Sequence, residues 1–390
     1  MEKIDERFPG INLPLMSVSQ TRGVIRRSEL TDAPSRAESL DNYKLCRAND
    51  IVFNKMSIRA GAMGVAAEDG LVTYHYEVMR PRQGIDPHFI TYLMKSSWFT
   101  EELVKRERGI GAGDQVNVRT TEVPFSVLKT IDAYIPGYDE QRSIAEFLDG
   151  ETARIATLIE EQLRLIELLR ERRIVMISEA LEGHEMTRLR RLVDHERPMS
   201  YGILQCGDPV DGGIPYIGPS DITGEGVSLE RNALRTTAPE IASAYQRTVL
   251  SGGDVVVSIG PAYGKVAVVA DELTGANLTR DMVRVALRPD LVDTRFVVWA
   301  LLSRHTSEYW DHQIMGATFR RLNLGTLART PIPFPPIDVQ RRIAQFLDER
   351  TSKIDTLIEE TERFVGLSRE RCSALITAAV TGQIDVREMA

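Results

Sequence analysis

The chain holds only three cysteines, Cys46, Cys206 and Cys372, in 390 residues. Far apart and odd in number, they suit neither a disulfide framework nor a metal knuckle. The six histidines form no ligand cluster; His305 and His312, seven apart, share one helical face at most. No run approaches the roughly 18 apolar residues of a membrane span. The opening MEKIDERFPG lacks the basic-then-apolar layout of a secretory leader, so a cytoplasmic address is predicted. Catalytic signatures are missing too. GPAYGK (260–265) has one residue too few between its glycines for a phosphate loop, and Val266 stands where Mg²⁺ needs Ser or Thr. GIGAGD (109–114) does not follow a strand with dinucleotide-fold spacing. No serine sits in a G-x-S-x-G elbow. FPPI (334–337) lacks the polar first and aromatic last residues that would hold a flipped base, and reads as a linker. These absences predict a non-catalytic chain that binds no cofactor or metal of its own.

What the chain does have is an internal echo. DEQRSIAEFLDGETARIATLIEE begins at Asp139, and DVQRRIAQFLDERTSKIDTLIEE begins at Asp338. The match continues without a gap to Gly183 and Gly382, with about half the positions identical. Among the identities are Gln141/Gln340, Phe147/Phe346, Thr152/Thr351 and the Arg-Glu-Arg at 170–172 and 369–371. The period is far too long for a solenoid, whose repeats run roughly 20–50 residues. It implies duplication of a whole domain-plus-helix unit. Asp139 and Asp338 are the expected N-caps. Gly183 and Gly382 are the expected left-handed stops.

Apolar residues three, four and seven apart mark one stripe per helix. The stripes need a partner, and the other copy is the obvious one, paired antiparallel as a coiled coil. The predicted seam is Ile155, Leu158, Gln162, Leu165 and Leu169 against Ile354, Leu357, Thr361 and Phe364. From about residue 151 to 182 such a helix would span roughly 48 Å.

The domains outside the helices echo each other weakly. Asp50-Ile51-Val52-Phe53 resembles Asp254-Val255-Val256-Val257, Gly64-Val65-Ala66 resembles Gly264-Lys265-Val266-Ala267, and Phe89-Ile90-Thr91-Tyr92 resembles Phe296-Val297-Val298-Trp299. The expected fold is α+β: mixed α/β domains at 1–138 and 184–337, repeated helical regions at 139–183 and 338–390. The net charge of −8 argues at first against nucleic acid. Its distribution matters more. Residues 139–183 carry six basic and eleven acidic side chains and 338–390 eight and ten, so nearly all the acidity sits on the helices. The domains are close to neutral and free to carry basic faces.

The combination resembles the specificity subunit of a type I restriction-modification system. The resemblance rests on the Gln-x-x-Ile-Ala-x-Phe-Leu-Asp helix starts, the Leu-Ile-Glu-Glu middles and the Thr-Gly-Gln-Ile-Asp tail at 381–385. LPLMSVSQTRGVI (13–25) and GGIPYIGPSDITGEGV (212–227) resemble the openings of that family's target recognition domains. The resemblance implies two such domains separated by the helix pair. Each would read half of a split, asymmetric double-stranded DNA site, about one helical turn, roughly 34 Å, apart. It also implies docking of two methyltransferase subunits that bring S-adenosylmethionine and flip an adenine, with a motor-nuclease restriction subunit, using ATP and Mg²⁺, able to join. Expected DNA contacts in the first domain are Asn54, Lys55, Arg59, Gln115, Asn117 and Arg119. In the second they are Tyr216, Tyr263, Lys265, Arg280, Thr318, Arg320, Arg321 and Asn323. Lys and Arg hold phosphates or read guanine, and Asn and Gln pair with adenine. The alternative is a two-headed scaffold that binds proteins instead of DNA.

Overall fold

The structure, a computed structural model, describes residues 1–32, 39–107, 125–224, 234–314 and 320–388. Two compact units divide it. The first comprises Met1–Leu163 with Glu362–Ala390, the second Arg164–Thr361. Each therefore contains one mixed domain and a part of both long helices.

The core of the first unit is a four-stranded antiparallel sheet: β1 (Glu2–Ile4), β2 (Ile51–Asn54), β3 (Met63–Val65) and β4 (Tyr76–Arg80), in the order β1-β4-β2-β3. Ile51, Val52 and Phe53 are wholly buried, as expected of a central strand with both faces covered. Helix α1 (Pro87–Lys95) follows, capped by Asp86 accepting from the Phe89 amide, and α2 (Ser97–Glu107) continues it. The first long helix, α3, spans Tyr138–Leu181.

The second unit repeats the plan. Strands β5 (Ser200–Tyr201), β6 (Val255–Ser258), β7 (Val266–Val268) and β8 (Met282–Val285) lie in the order β5-β8-β6-β7. Helix α4 (Thr294–Leu302) is capped by Asp293 through the Phe296 amide, and α5 (Arg304–Ile314) follows. The second long helix, α6, spans Ile337–Val380. The three weak echoes noted in the sequence fall on β2/β6, β3/β7 and α1/α4. Even the acid before the central strand recurs: Asp50 is bonded by Arg80, and Asp254 by Arg197.

In the first unit the start of α3 (Ile144, Ala145, Leu148) and the end of α6 (Ala379, Val380) share a core with α1 and α2. In the second, the end of α3 (Ile177, Leu181) and the start of α6 (Ala344, Leu347) do the same. The long helices therefore run antiparallel. The two matching glutamines explain part of the repeat. Gln141 is buried; its amide donates to the carbonyls of Gly84 and Pro136, and its oxygen accepts from the Asp86 amide. Gln340 does the same with Leu291, Pro335 and Asp293. Each glutamine latches the loop before a domain helix to the root of a long one.

Two expectations need correction. The helices begin one residue early, at Tyr138 and Ile337, so Asp139 and Asp338 lie inside the first turn. There they favour the positive end of the helix dipole rather than cap it. The seam keeps Ile155, Gln162, Leu169, Ile354 and Thr361 of the expected residues and loses Leu158, Leu165, Leu357 and Phe364. Ile155, Ile159, Gln162, Ile166 and Leu169 are buried or half-buried at alternating spacings of four and three, as are Ile354, Ile358, Thr361, Val365 and Ser368. Leu158, Leu165, Leu357 and Phe364 are 37–49% exposed and flank it. Each helix carries two adjacent apolar tracks, and one of them faces solvent. The C-terminal stops are as read: Gly183 and Gly382 have φ of 79° and 71°. Among the described residues no helix is long and apolar enough to cross a membrane.

Candidate nucleic-acid interface

In the second unit a cavity of about 410 Å³ opens where β5, the end of β6 and the approach to β8 meet. Its wall includes Tyr201, Leu204, Ile259, Arg280, Arg321 and Asn323. Backbone hydrogen bonds stitch these distant segments together. The Arg280 amide donates to the Ile203 carbonyl, Ile259 to Asp281, and Leu322 to Ile259. Leu322 is fully buried and pins the loop that carries its polar neighbours.

Side-chain bonds then set the chemistry. Arg321 donates to the Asp281 carboxylate at 2.6 Å, which orients its guanidinium fork. Asn323 caps the short helix Leu324–Arg329, its side-chain oxygen accepting from the Thr326 amide at 2.8 Å. Its amide NH₂ makes no hydrogen bond among the described residues. The Tyr201 hydroxyl accepts from the Leu324 amide at 3.2 Å. Arg280 is exposed, and Arg320 is 71% exposed, 3.5 Å from Asp311. Three arginines face two carboxylates, Asp281 and Asp311, so the rim is net positive. Planar guanidinium forks at such a rim suit phosphate oxygens or the O6/N7 edge of guanine. Among the described residues no cluster of His, Cys, Asp and Glu could hold a metal.

The structure thus brings together Arg280, Arg321 and Asn323 of the expected contacts, with Arg320 nearby. Three others bond or pack within their own unit. The Lys265 ammonium donates to the carbonyls of Pro219 and Ile222, at 2.8 and 3.0 Å. The Tyr263 hydroxyl donates to Asp311, which raises the phenol's pKa. Tyr216 is 5% exposed, its ring beneath Arg235 at 5.2 Å, and burial raises its pKa. Lys265 thus satisfies two carbonyls of the 219–222 segment. In the first unit Asn54 accepts from the Met56 amide at 3.0 Å, Lys55 lies 3.8 Å from Glu77, and Arg59 is half-buried. Gln115, Asn117, Arg119 and Thr318 lie outside the described residues. Tyr201 and Leu204 were not expected; exposed apolar residues beside glycine in SYGIL were their only signal.

Comparison with known proteins agrees with this architecture. The chain shares its fold with the HsdS subunit of Thermoanaerobacter tengcongensis, at TM-score 0.57 and 17% identity over 98% of this chain and 95% of that one. A chain solved in a study of complex assembly and conformational transition of the type I R-M system aligns at TM-score 0.69 and 16% identity, covering 96% and 93%. Residues 208–363 match the family model described as the type I restriction modification DNA specificity domain. The chain is 23% identical over 278 residues to the type I restriction enzyme EcoBI specificity subunit of Escherichia coli. It is 22% identical over 292 residues to the MjaVIII specificity subunit of Methanocaldococcus jannaschii. The alignments cover 64% and 68% of this chain, and 58% and 65% of those proteins.

Proposed function

We propose that this chain is the DNA specificity subunit of a type I restriction-modification complex. In this reading each unit binds one half of a bipartite, asymmetric site. The chain positions methyltransferase subunits, and a restriction subunit where one exists, without catalysing either reaction. S-adenosylmethionine would belong to the methyltransferase partner, and ATP and Mg²⁺ to the restriction partner.

The observation that carries the reading is the repetition of one frame with different rims. Both sheets have the same strand order and both domain helices the same glutamine latch, yet the clefts between them carry different side chains. One frame with two rims suits two half-sites of unlike sequence. The solvent-facing helix tracks fit two like partners, since Leu158, Leu165 and Leu168 recur as Leu357, Phe364 and Leu367. Exposed apolar residues at heptad-like spacing are what a partner helix covers.

Selection from a random duplex library by the chain co-purified with its methyltransferase tests this. Enrichment of two short motifs at a fixed gap is expected. Enrichment of a single uninterrupted motif, or of none, contradicts it.

A further inference from the structure

In the second unit one residue holds both Arg321 and Asp281 in place. The Ile259 amide donates to the Asp281 carbonyl at 2.8 Å, and the Ile259 carbonyl accepts from the Leu322 amide at 3.0 Å. The backbones behind the Arg321–Asp281 bond are thus both pinned just past the end of β6. Gly260 permits this approach, since a Cβ there would lie 2.9 Å from the Asp281 Cβ. The Arg321 guanidinium donates to the Asp281 carboxylate at 2.6 Å, and its other N–H groups make no hydrogen bond among the described residues. The Arg321 side chain stays 45% exposed and lines the cavity, whereas Asp281 lies outside the cavity wall.

Charge and direction choose between a phosphate and a base as the target of this fork. A guanidinium paired with a carboxylate carries no net charge, so it adds little of the attraction that draws phosphates. What it keeps is direction, because a planar fork fixed in place meets two acceptors side by side. Only guanine presents two acceptors, N7 and O6, on its major-groove edge. Adenine sets an acceptor beside a donor, thymine offers one acceptor and cytosine a donor. The polar neighbours suit the same edge. Asn323 turns its oxygen to the Thr326 amide, which leaves its NH₂ as a donor. Pairing with adenine would need that oxygen as well. The Tyr201 hydroxyl accepts from the Leu324 amide and keeps its own O–H to give.

We infer that Arg321, oriented by Asp281, reads the N7/O6 edge of a guanine in the half-site bound by the second unit. This rests on the DNA-binding reading above, and it makes Asp281 a positioning residue. The first unit lacks the device. Phe53 pairs with Glu77 on β2 and β4, and Val257 with Val283 on β6 and β8. That register puts Tyr74 and His75 where the second unit has Arg280 and Asp281. Their rings lie 3.9 Å apart, and neither supplies a carboxylate. A guanine read in this way therefore belongs to one half of the site.

The test uses Arg321→Ala and Asp281→Asn in the full chain, co-purified with its methyltransferase, and Arg304→Gln on α5 as a control. The wild-type site is selected from a random duplex library, and each of its base pairs is then varied in competition. Arg321→Ala is expected to lose a roughly 5- to 150-fold preference at one G·C pair in one half, with the other positions kept. Asp281→Asn should lose most of the same preference yet bind a scrambled duplex at least as tightly as wild type, because it adds net positive charge while freeing the fork. A purely structural role would weaken both duplexes. A deazaguanine lacking N7 at that pair should weaken wild type and leave Arg321→Ala unaffected. The control should change nothing. If Arg321→Ala weakens all duplexes alike and lowers the salt slope by about one between about 50 and 200 mM, the residue holds a phosphate and the assignment is overturned. Preference lost at an A·T pair overturns the guanine, and unchanged selectivity overturns base reading by Arg321; in both cases a split wild-type motif leaves the DNA-binding reading standing. A wild-type complex that selects no motif overturns that reading as well. Thermal unfolding of each variant, expected within a few degrees of wild type, excludes a folding defect.

Discussion

Replacing Gln340 by Leu tests the latch that repeats in both units. Gln340 is fully buried and makes three hydrogen bonds, to the Leu291 and Pro335 carbonyls and from the Asp293 amide. Leucine has similar bulk and no polar atom, so two acceptors and one donor are stranded. Each lost bond costs on the order of 1 kcal/mol, and up to about 3 where the stranded group cannot reach water. Burying the extra apolar surface returns roughly 1 kcal/mol. The expected net loss is about 2–4 kcal/mol, a fall of roughly 5–15 °C for a unit of this size. Gln141→Leu should cost the first unit a similar amount, because its three bonds match. Gln345, exposed and bonded only to Glu349, provides the contrast: Gln345→Leu should stay within about 0.5 kcal/mol. Calorimetry of the full chain reads all three. If both latch variants lose less than about 0.5 kcal/mol, the latch does not hold domain to helix and the reason given for its repetition is wrong.

Other outcomes follow from the same geometry. Burial pushes the Cys46 thiol, which donates to the Gly70 carbonyl, up to about 11. The unfolded thiol loses its proton from about pH 9, while the folded one keeps it. Its contribution is therefore complete below about pH 9 and lost as pH rises through about 11, up to roughly 3 kcal/mol; urea titrations across that range should show a decline that Cys46→Ala flattens. Arg280→Ala should cost about 1–3 kcal/mol in DNA binding and act only on the half-site of the second unit, as read by competition with duplexes altered in one half. Leu165→Glu with Phe364→Glu, on the solvent-facing tracks, should reduce methyltransferase co-purification at least tenfold while leaving the melting temperature of the chain within a few degrees.

The duplication was legible because its identities fall on residues with geometric duties. Gln141 and Gln340 latch the domains, and Thr152 and Thr351 bond back to the carbonyls of Leu148 and Leu347. Such residues repeat whenever the frame repeats. The helix seam was only half legible. Two adjacent tracks of equal apolarity run along each helix, and nothing local says which one the other helix will cover. Ile166 and Val365 are buried while Leu165 and Phe364, one residue earlier, are exposed. The candidate clefts were least legible because they are non-local. Tyr201, Ile259, Arg280 and Arg321 converge through backbone bonds between segments far apart in sequence. Loop composition pointed also to Lys265, which bonds to the Pro219 and Ile222 carbonyls, and to Tyr263, which bonds to Asp311. Lys44, by residue type a surface side chain, is buried because Glu77 waits beneath it.

The most direct test of the account is a map of methylated adenines across the genome, with this gene present and deleted, in cells that express the partner methyltransferase. One split motif, two short specified halves around a fixed gap, is expected to lose its methylation on deletion and regain it on complementation. Methylation that is unchanged by deletion, or lost at a single continuous motif, would contradict it.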